Sequence, residues 1–575
     1  MNVGSTRSVL VVTSVGYASQ EITVGTQTSL TVRLQQTSQA LGEVVVIGYG
    51  TQKRGSLTGA IATVTSKDLD RVHGGSTVST GLAGKLAGVT FKMPDGRPGA
   101  SANIQIRNMG RPLYVIDGIQ QDEGQFNNLA PNDIESISVL KDASAAIYGV
   151  RAANGVVVVT TKKGATGRNT INIDAYSGWQ NWYRFPNVVS NSYDYERYLA
   201  DAQVNSNINE PDPTKRTGIT QSELDKYKQG ASAGDAYRSF DWRKFVLRKN
   251  APQNSVNINI NGGSDKVSYY VSATNLFQNS MLGREYKFNR SNIQSNVTAK
   301  LSNRLKVGVD INGRVESRGN PGVPGGDDYE LARRSILRNT PLERPYANDN
   351  PDYLNDIGHT ETNYAFLNEK ISGKFRSDWR ILQSIFHADY EIPGIKGLTL
   401  RGAYSYFIAD NLENNQEYTY NAYTYNADTK NYDISGGSSN PWRDREQIKQ
   451  INTNTQLQLN YSNTFGEHTV GATVVSERIK NHRTRNWIHA SPISNRLPLI
   501  YFPTMDQYQD EDNTESRIGY IGRVTYNFAN RYFLEASARR DASYLFAPGF
   551  QVGYFPGCFS RMENYRRTFY ETISS

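Results

Sequence analysis

The chain has 575 residues, room for several domains, with 37% hydrophobic and 21% charged residues and a net charge of +8. Mean hydropathy is −0.59 and no run of about 18 apolar residues occurs, which excludes a transmembrane helix; a membrane barrel stays open, because its alternating strands average out as polar. Both charge signs are spread along the chain without a block of either, so nothing supports a nucleic-acid partner.

The first residues, Met1 to Gly16, are not a signal peptide, since their only apolar run is Val9 to Val12. Residues 1–36 predict three short strands, Ser8–Ser14, Glu21–Val24 and Ser29–Leu34, with turns at Gly16-Tyr17 and Gly25-Thr26. That is too little to bury a core, so an incomplete β-domain is expected. A polar linker follows, and within 37–54 stands Glu43-Val44-Val45-Val46-Ile47-Gly48-Tyr49-Gly50. Four consecutive β-formers after a linker make a strand that seeks an edge. Either it is an ordinary strand of the next domain, or it is offered to a partner's sheet. Its glycines are not a phosphate loop, because no strand–loop–helix context follows.

Residues 55–165 predict a compact α+β domain. Thr58–Thr65 is a strand and 66–69 a turn; Thr77–Ala87 is a short helix with Leu82 and Leu86 on one face. Val89–Lys92 is a strand, and Ala102–Arg107 is another that turns Ile104 and Ile106 to one side. Leu113–Ile116 is a buried strand ended by the Asp117-Gly118 turn. In the stretch Asp133 to Gly164, a strand from Ile134 to Leu140 leads to one or two helical turns over Ala143–Tyr148. The Asn154-Gly155 turn and the buried strand Val156–Val159 complete it.

From 166 onward the period becomes two. Val256, Ile258 and Ile260 alternate with asparagines, Ile293 and Val297 with Gln294 and Asn296, and Leu457, Leu459 and Tyr461 with Gln456, Gln458 and Asn460. Roughly 11 or 12 strands of about ten residues are expected. Short turns fall at 262–265, 302–304, 393–397, 465–468 and 529–531. Long loops fall at 180–254, 278–290, 316–384, 409–449 and 478–515. Turns on one side and loops on the other is the asymmetry of a membrane barrel. The 36 Tyr, against 20 Phe and 6 Trp, suit either a plain β-rich protein or aromatic girdles with a substrate-contacting lumen.

No catalytic constellation or metal-ligand spacing stands out, and no cofactor motif occurs. The single Cys558 excludes an internal disulfide framework. Asp327-Asp328 and Asp510-Glu511-Asp512 are read as loop carboxylates, either solvated or able to hold Ca²⁺. Tyr418, Tyr420, Tyr423, Tyr425 and Trp442 are loop aromatics that suit substrate stacking or loop packing alike.

Two stretches in order, Arg111-Pro112-Leu113-Tyr114-Val115-Ile116-Asp117-Gly118 and the run from Asp133 to Gly164, resemble the plug signatures of the SusC/RagA family. These are TonB-dependent outer-membrane transporters of Bacteroidetes. The resemblance implies a mainly β protein: an α+β plug domain at 55–165, then an antiparallel transmembrane β-barrel from 166 to 575. Only about half of a barrel of about 22 strands would be present. Residues 1–36 resemble the last strands of a carboxypeptidase-regulatory-like β-sandwich, and Glu43 to Gly50 resembles the TonB box. The chain is thus expected to be an internal piece of a longer product whose signal peptide lies outside it.

Within the plug the matching positions are Arg107, Leu113, Tyr114, Asp117, Gly118, Glu135, Lys141, Asp142, Tyr148, Gly149, Arg151, Asn154 and Gly155. The charged ones, with Arg111, would pair within the plug or across to the barrel wall. The family usually has Gly where Asn108 stands, and the 107–112 loop is shorter than its pattern. By resemblance the protein sits in the outer membrane, in contact with its lipid, and is no enzyme. It imports an oligosaccharide or peptide with a SusD-like surface lipoprotein, driven by TonB with ExbB and ExbD. The alternatives are a siderophore- or cobalamin-type receptor, or a non-transporting fragment or surface protein.

Overall fold

The computed structural model describes residues 9–12, 20–23, 32, 44–47, 50–53, 61–69, 75–94, 96–141, 145, 147–322, 328–357, 364–439, 442–492, 494 and 505–562. Two short strands, Val9–Val12 and Gln20–Thr23, pair antiparallel. The expected strand at Ser29–Leu34, and Glu43, Gly48, Tyr49, Asp142 and Asp327, lie outside the described residues.

The plug is a five-stranded sheet in the order β1-β4-β5-β2-β3, with β1 Ile61–Thr65, β2 Leu113–Ile116, β3 Ile119–Gln121, β4 Ile134–Leu140 and β5 Val156–Thr161. Only β5 and β2 run parallel. The central strands are apolar on both faces because both are covered. On one side Val64, Leu82, Phe126, Ile134, Ile137 and Val159 form the main core. On the other, Val115, Leu140, Tyr148, Val156 and Val158 pack on Val475 and Ile521 of the wall. Residues Val78–Gly81 form a single helical turn rather than the expected helix over Thr77–Ala87, although Leu82 and Leu86 are buried as that pattern requires. Ser66–Leu69 is likewise one helical turn.

The wall is one antiparallel sheet of twelve strands in chain order. They are β6 Gly167–Gln180, β7 Ala251–Gly263, β8 Val267–Asn279, β9 Lys287–Lys300, β10 Leu305–Pro321 and β11 Gly373–Glu391. Then come β12 Leu398–Glu417, β13 Arg443–Phe465, β14 His468–Ala490, β15 Met505–Phe528, β16 Tyr532–Ser543 and β17 Val552–Met562. Among the described residues β6 and β17 are its two edges. The expected turns all join neighbouring strands.

The strands are longer than the ten residues expected, reaching 23 in β14 and 24 in β15. At about 3.4 Å per residue these span roughly 80 Å along the chain, far more than a bilayer core of about 30 Å. The loops shrink accordingly. Asp510, Glu511 and Asp512 belong to β15 and not to a loop. They stay ordered there by cross-strand pairing: Asp512 with His482 at 2.8 Å and Glu511 with Arg485 at 2.9 Å.

Alternation has an inverted sense. Ile293 is 59% exposed while Gln294 beside it is 2% exposed, and Leu457 is 54% exposed against 8% for Gln456. Register carries this parity across the sheet: Leu459 pairs with Val474, Ala472 with Val524, and Tyr526 with Leu534. A continuous apolar belt therefore faces outward while amides and charges face the plug. Water penalises such a belt and lipid favours it.

Candidate functional site: the polar seam between plug and wall

Three polar clusters join the plug to the inward face of the wall. The first centres on Asp133, which precedes β4 and is 1% exposed. It accepts a hydrogen bond from Tyr270 Oη at 2.9 Å and another from Ser272 Oγ, both on β8. Next to it, Asn132 Nδ2 donates to Asp174 Oδ2 on β6 at 3.0 Å. Burial pushes the Asp133 carboxyl up to about 6, although both hydroxyls and the Lys162 charge work against that rise.

The second cluster sits where the plug chain passes into the wall. Asp117 and Gly118 both have positive φ, 48° and 85°, and form the two-residue turn between β2 and β3. There Asp117 accepts from the Thr161 backbone N–H at 3.0 Å and the Thr161 hydroxyl at 2.7 Å. Lys163 Nζ lies 3.4 Å from Asp117 and 2.8 Å from Asp310 on β10. His387 Nε2 is 3.8 Å from the same Asp310 carboxylate. Gly164 follows, and a Cβ there would stand 2.2 Å from the Tyr269 backbone nitrogen, so only glycine lets the tether lie this close to β8.

The third cluster is on the other side. Glu477 of β14 is 1% exposed and accepts from Gln120 Nε2 of the plug at 3.2 Å. On the wall, Asn454, Gln456 and Arg539 also donate to Glu477. Arg539 reaches back to the plug through the Ile147 carbonyl at 3.1 Å, and Gln456 through the Gly118 carbonyl at 3.1 Å. Gln120, Tyr148, Arg151, Glu477, Arg517 and Arg539 line a cavity of about 170 Å³ here. A larger cavity, about 400 Å³, opens on the loop side between plug residues 75–100 and the ends of β6 and β8, beside Arg97 and Gln278.

The sequence candidates divide between these places and the plug interior. Gly118, Tyr148 and Gly149 reach the wall, Gly149 lying against Arg539 and Asp541, while Asp117 is bonded to Thr161 within the plug and linked to Asp310 of the wall through Lys163. Arg151 donates to Gln120 at 3.2 Å within the plug, and Arg111 pairs with Glu123 at 3.8 Å. Lys141 is buried and donates to the Ala87 carbonyl, while Glu135 is exposed. Leu113 is core, and Tyr114 stacks on Phe126 at 4.8 Å with its phenol raised by burial and by Glu123. Asn154 donates to the Arg111 carbonyl at 3.2 Å, and Gly155 has φ 88°. Arg107 and Asn108 both sit in the left-handed region, at φ 52° and 57°, which Asn tolerates better than most side chains.

The segment Val44–Ile47 pairs antiparallel with Gly50–Lys53, so it forms a hairpin with its own continuation and lies beside β4 and β5. The loop aromatics pack on one another. Tyr353 stacks on Tyr432 at 3.8 Å and meets Tyr423 edge-on at 5.0 Å, and Trp442 packs on His489 at 4.8 Å. Asp133, Lys163, Asp310, Glu477 and Arg539 are the seam residues that sequence patterns did not single out.

Comparison with known proteins agrees with this architecture. Residues 53–156 match the TonB-dependent Receptor Plug Domain family. TonB-dependent receptor P3 of Formosa agariphila is 28% identical over 97% of this chain and 52% of its own length. TonB-dependent receptor SusC of Bacteroides thetaiotaomicron is 25% identical over 95% of this chain and 53% of its own. Among solved structures, the RagAB peptide importer in its open-open state superposes with a TM-score of 0.74 at 23% identity, covering 92% of this chain and 59% of that one. The chain spans about half the length of these curated relatives.

Proposed function

For this SusC/RagA-like TonB-dependent receptor, we propose TonB-driven import of oligosaccharides or peptides across the outer membrane, with a SusD-like lipoprotein as surface partner. The observation that carries the reading is the polar seam. A plug meant to stay would be held by apolar packing, whereas this one meets the wall mainly through amides, hydroxyls and ion pairs. Each neutral bond is worth only about 1 kcal/mol net and each bond to a charged group about 1.5–3 kcal/mol, because water replaces it when it breaks. A plug held this way moves at low cost once a force is applied.

The hairpin at 44–53 is the point for that force. It precedes β1, and β1 is an edge strand held to the sheet by β4 alone. A periplasmic partner that adds its own strand to Val44–Ile47 grips the backbone without depending on side-chain detail. Tension then reaches β1 and peels it from β4 before the central strands are loaded. Substrate captured over the loop-side cavity would pass along a lumen lined by Asn292, Gln294, Asn296, Gln383, Ser405 and Gln458. These neutral amides and hydroxyls are buried and offer both donors and acceptors, which suits sugar hydroxyls or peptide groups.

Uptake of labelled maltooligosaccharides and mixed oligopeptides by cells carrying Val45→Pro tests this. Proline removes a strand N–H and blocks augmentation. The expected result is surface binding retained with uptake lost. Uptake at the parental rate would contradict the proposal.

A further inference from the structure

The outward face of the wall carries one feature that transport does not use. Parity places Arg478 and Lys480 of β14 outward, because Leu459 pairs with Val474 and the strand alternates from there. Both side chains are exposed. Their lateral neighbours are Thr455 and Ile518 for Arg478, and Thr453 and Ser516 for Lys480, all neutral. Arg540 of β16 faces the same way, over the ring of Tyr520 at 5.8 Å. Further along, Lys449 and Arg380 flank one carboxylate, Asp410, with Arg380 3.9 Å from it. Asp512 is taken by His482 at 2.8 Å.

These cations stand at the boundary of the apolar belt on the loop side. Val474, Leu457, Val524 and Leu534, all exposed, lie below them. The same boundary on β8–β10 is different. There Asn275, Asn289, Ser291 and Ser317 face outward, and Asn275 donates to Asn289 at 3.0 Å and to Ser291 at 2.9 Å. Positive charge is thus denser over β13–β16, whereas on β8–β10 the outward cation beyond Asn289 is Lys287.

We propose that Arg478 and Lys480, with Arg540 and Lys449 at the flanks, form a binding site for the phosphate-bearing headgroup of an outer-leaflet lipid. Acyl chains would cover the apolar belt while the phosphate meets two cations about 7 Å apart along one strand. The hydroxyls of Thr453, Thr455 and Ser516 supply further donors, and long basic side chains reach a headgroup plane without exposing their stems. The proposal rests on the wall being embedded in a membrane.

The test is native mass spectrometry of the protein in neutral-detergent micelles, titrated with a monophosphoryl disaccharide lipid and with its dephosphorylated counterpart. The expected result is preferential retention of the phosphorylated lipid. Arg478→Gln/Lys480→Gln should weaken that retention roughly tenfold or more, and Arg478→Lys/Lys480→Arg should restore it. Equal retention of both lipids, or an unchanged affinity in the glutamine variant, would overturn the site. A protein that stays monodisperse without detergent and holds neither lipid would overturn the membrane reading beneath it.

Discussion

Lys163 and Asp310 join the plug to the wall at the point where the chain itself passes from one to the other, with Nζ 2.8 Å from Oδ2. The covalent tether is therefore also an ion-paired clamp, shared with Asp117 of the β2–β3 turn.

The clamp has a measurable strength. The Lys163 side chain is 40% exposed, so water screens much of the attraction, and about 1 kcal/mol is expected. A double-mutant cycle of Lys163→Met and Asp310→Asn, read by denaturant unfolding of the plug, should show coupling of that size. Additive effects would mean that the two charges do not act as a pair.

Asp133 sets a pH dependence. Its folded value, about 6, lies above its ordinary 3.8. The folded plug therefore holds a proton that the unfolded chain releases between those values. Stability from this group is full below about pH 4 and is lost as pH rises to about 6, by roughly 3 kcal/mol. Asp133→Asn, which stays neutral, should flatten the plug's unfolding midpoint across that window. A slope that persists in the variant would assign it to another group.

Gly164 tests how closely the tether lies on the wall. A Cβ there meets Tyr269 backbone at 2.2 Å, and backbone cannot swing aside. Gly164→Ala should cost about 2 kcal/mol or more, visible as faster amide exchange in Val156–Thr161. Unchanged exchange would show that the tether has room to shift.

The inverted wall predicts opposite responses from neighbours in sequence. Leu457→Arg puts a charge on the outward belt and should lower folding stability in phosphatidylcholine vesicles by about 2–4 kcal/mol. Gln458→Lys, one residue on and facing inward, should change it far less. Similar losses from both would contradict the assignment of faces.

Much of this architecture is legible in the sequence. Val256–Asn261 and Ile293–Asn296 show period two directly, and the short turns follow from the breaks between such runs. Alternation alone does not say which face meets which medium; the bonds from Asn292 to the Asn128 carbonyl and from Asn296 to the Lys162 carbonyl decide that. The strands exceed the expected length because Arg483–Asn486 and Asp510–Glu515 are polar on both faces, as a loop would be. Cross-strand ion pairs, such as Arg485 with Glu446 at 2.9 Å, stand in for the missing apolar pattern. The seam was hidden for another reason. Glu477 meets Gln120 across 357 positions of sequence, and no local pattern marks such a contact.

The proposed import requires the plug to move against the wall. Asp133 and Ser272 are hydrogen-bonded across the seam and can be replaced by a cysteine pair, Asp133→Cys/Ser272→Cys, with the exposed Cys558 changed to Ser. Uptake of the proposed oligosaccharide or peptide substrate would then be measured with the pair crosslinked and again after reduction. Uptake is expected to be abolished by the crosslink, with surface binding intact, and restored by reducing agent. Equal uptake in both states would contradict it.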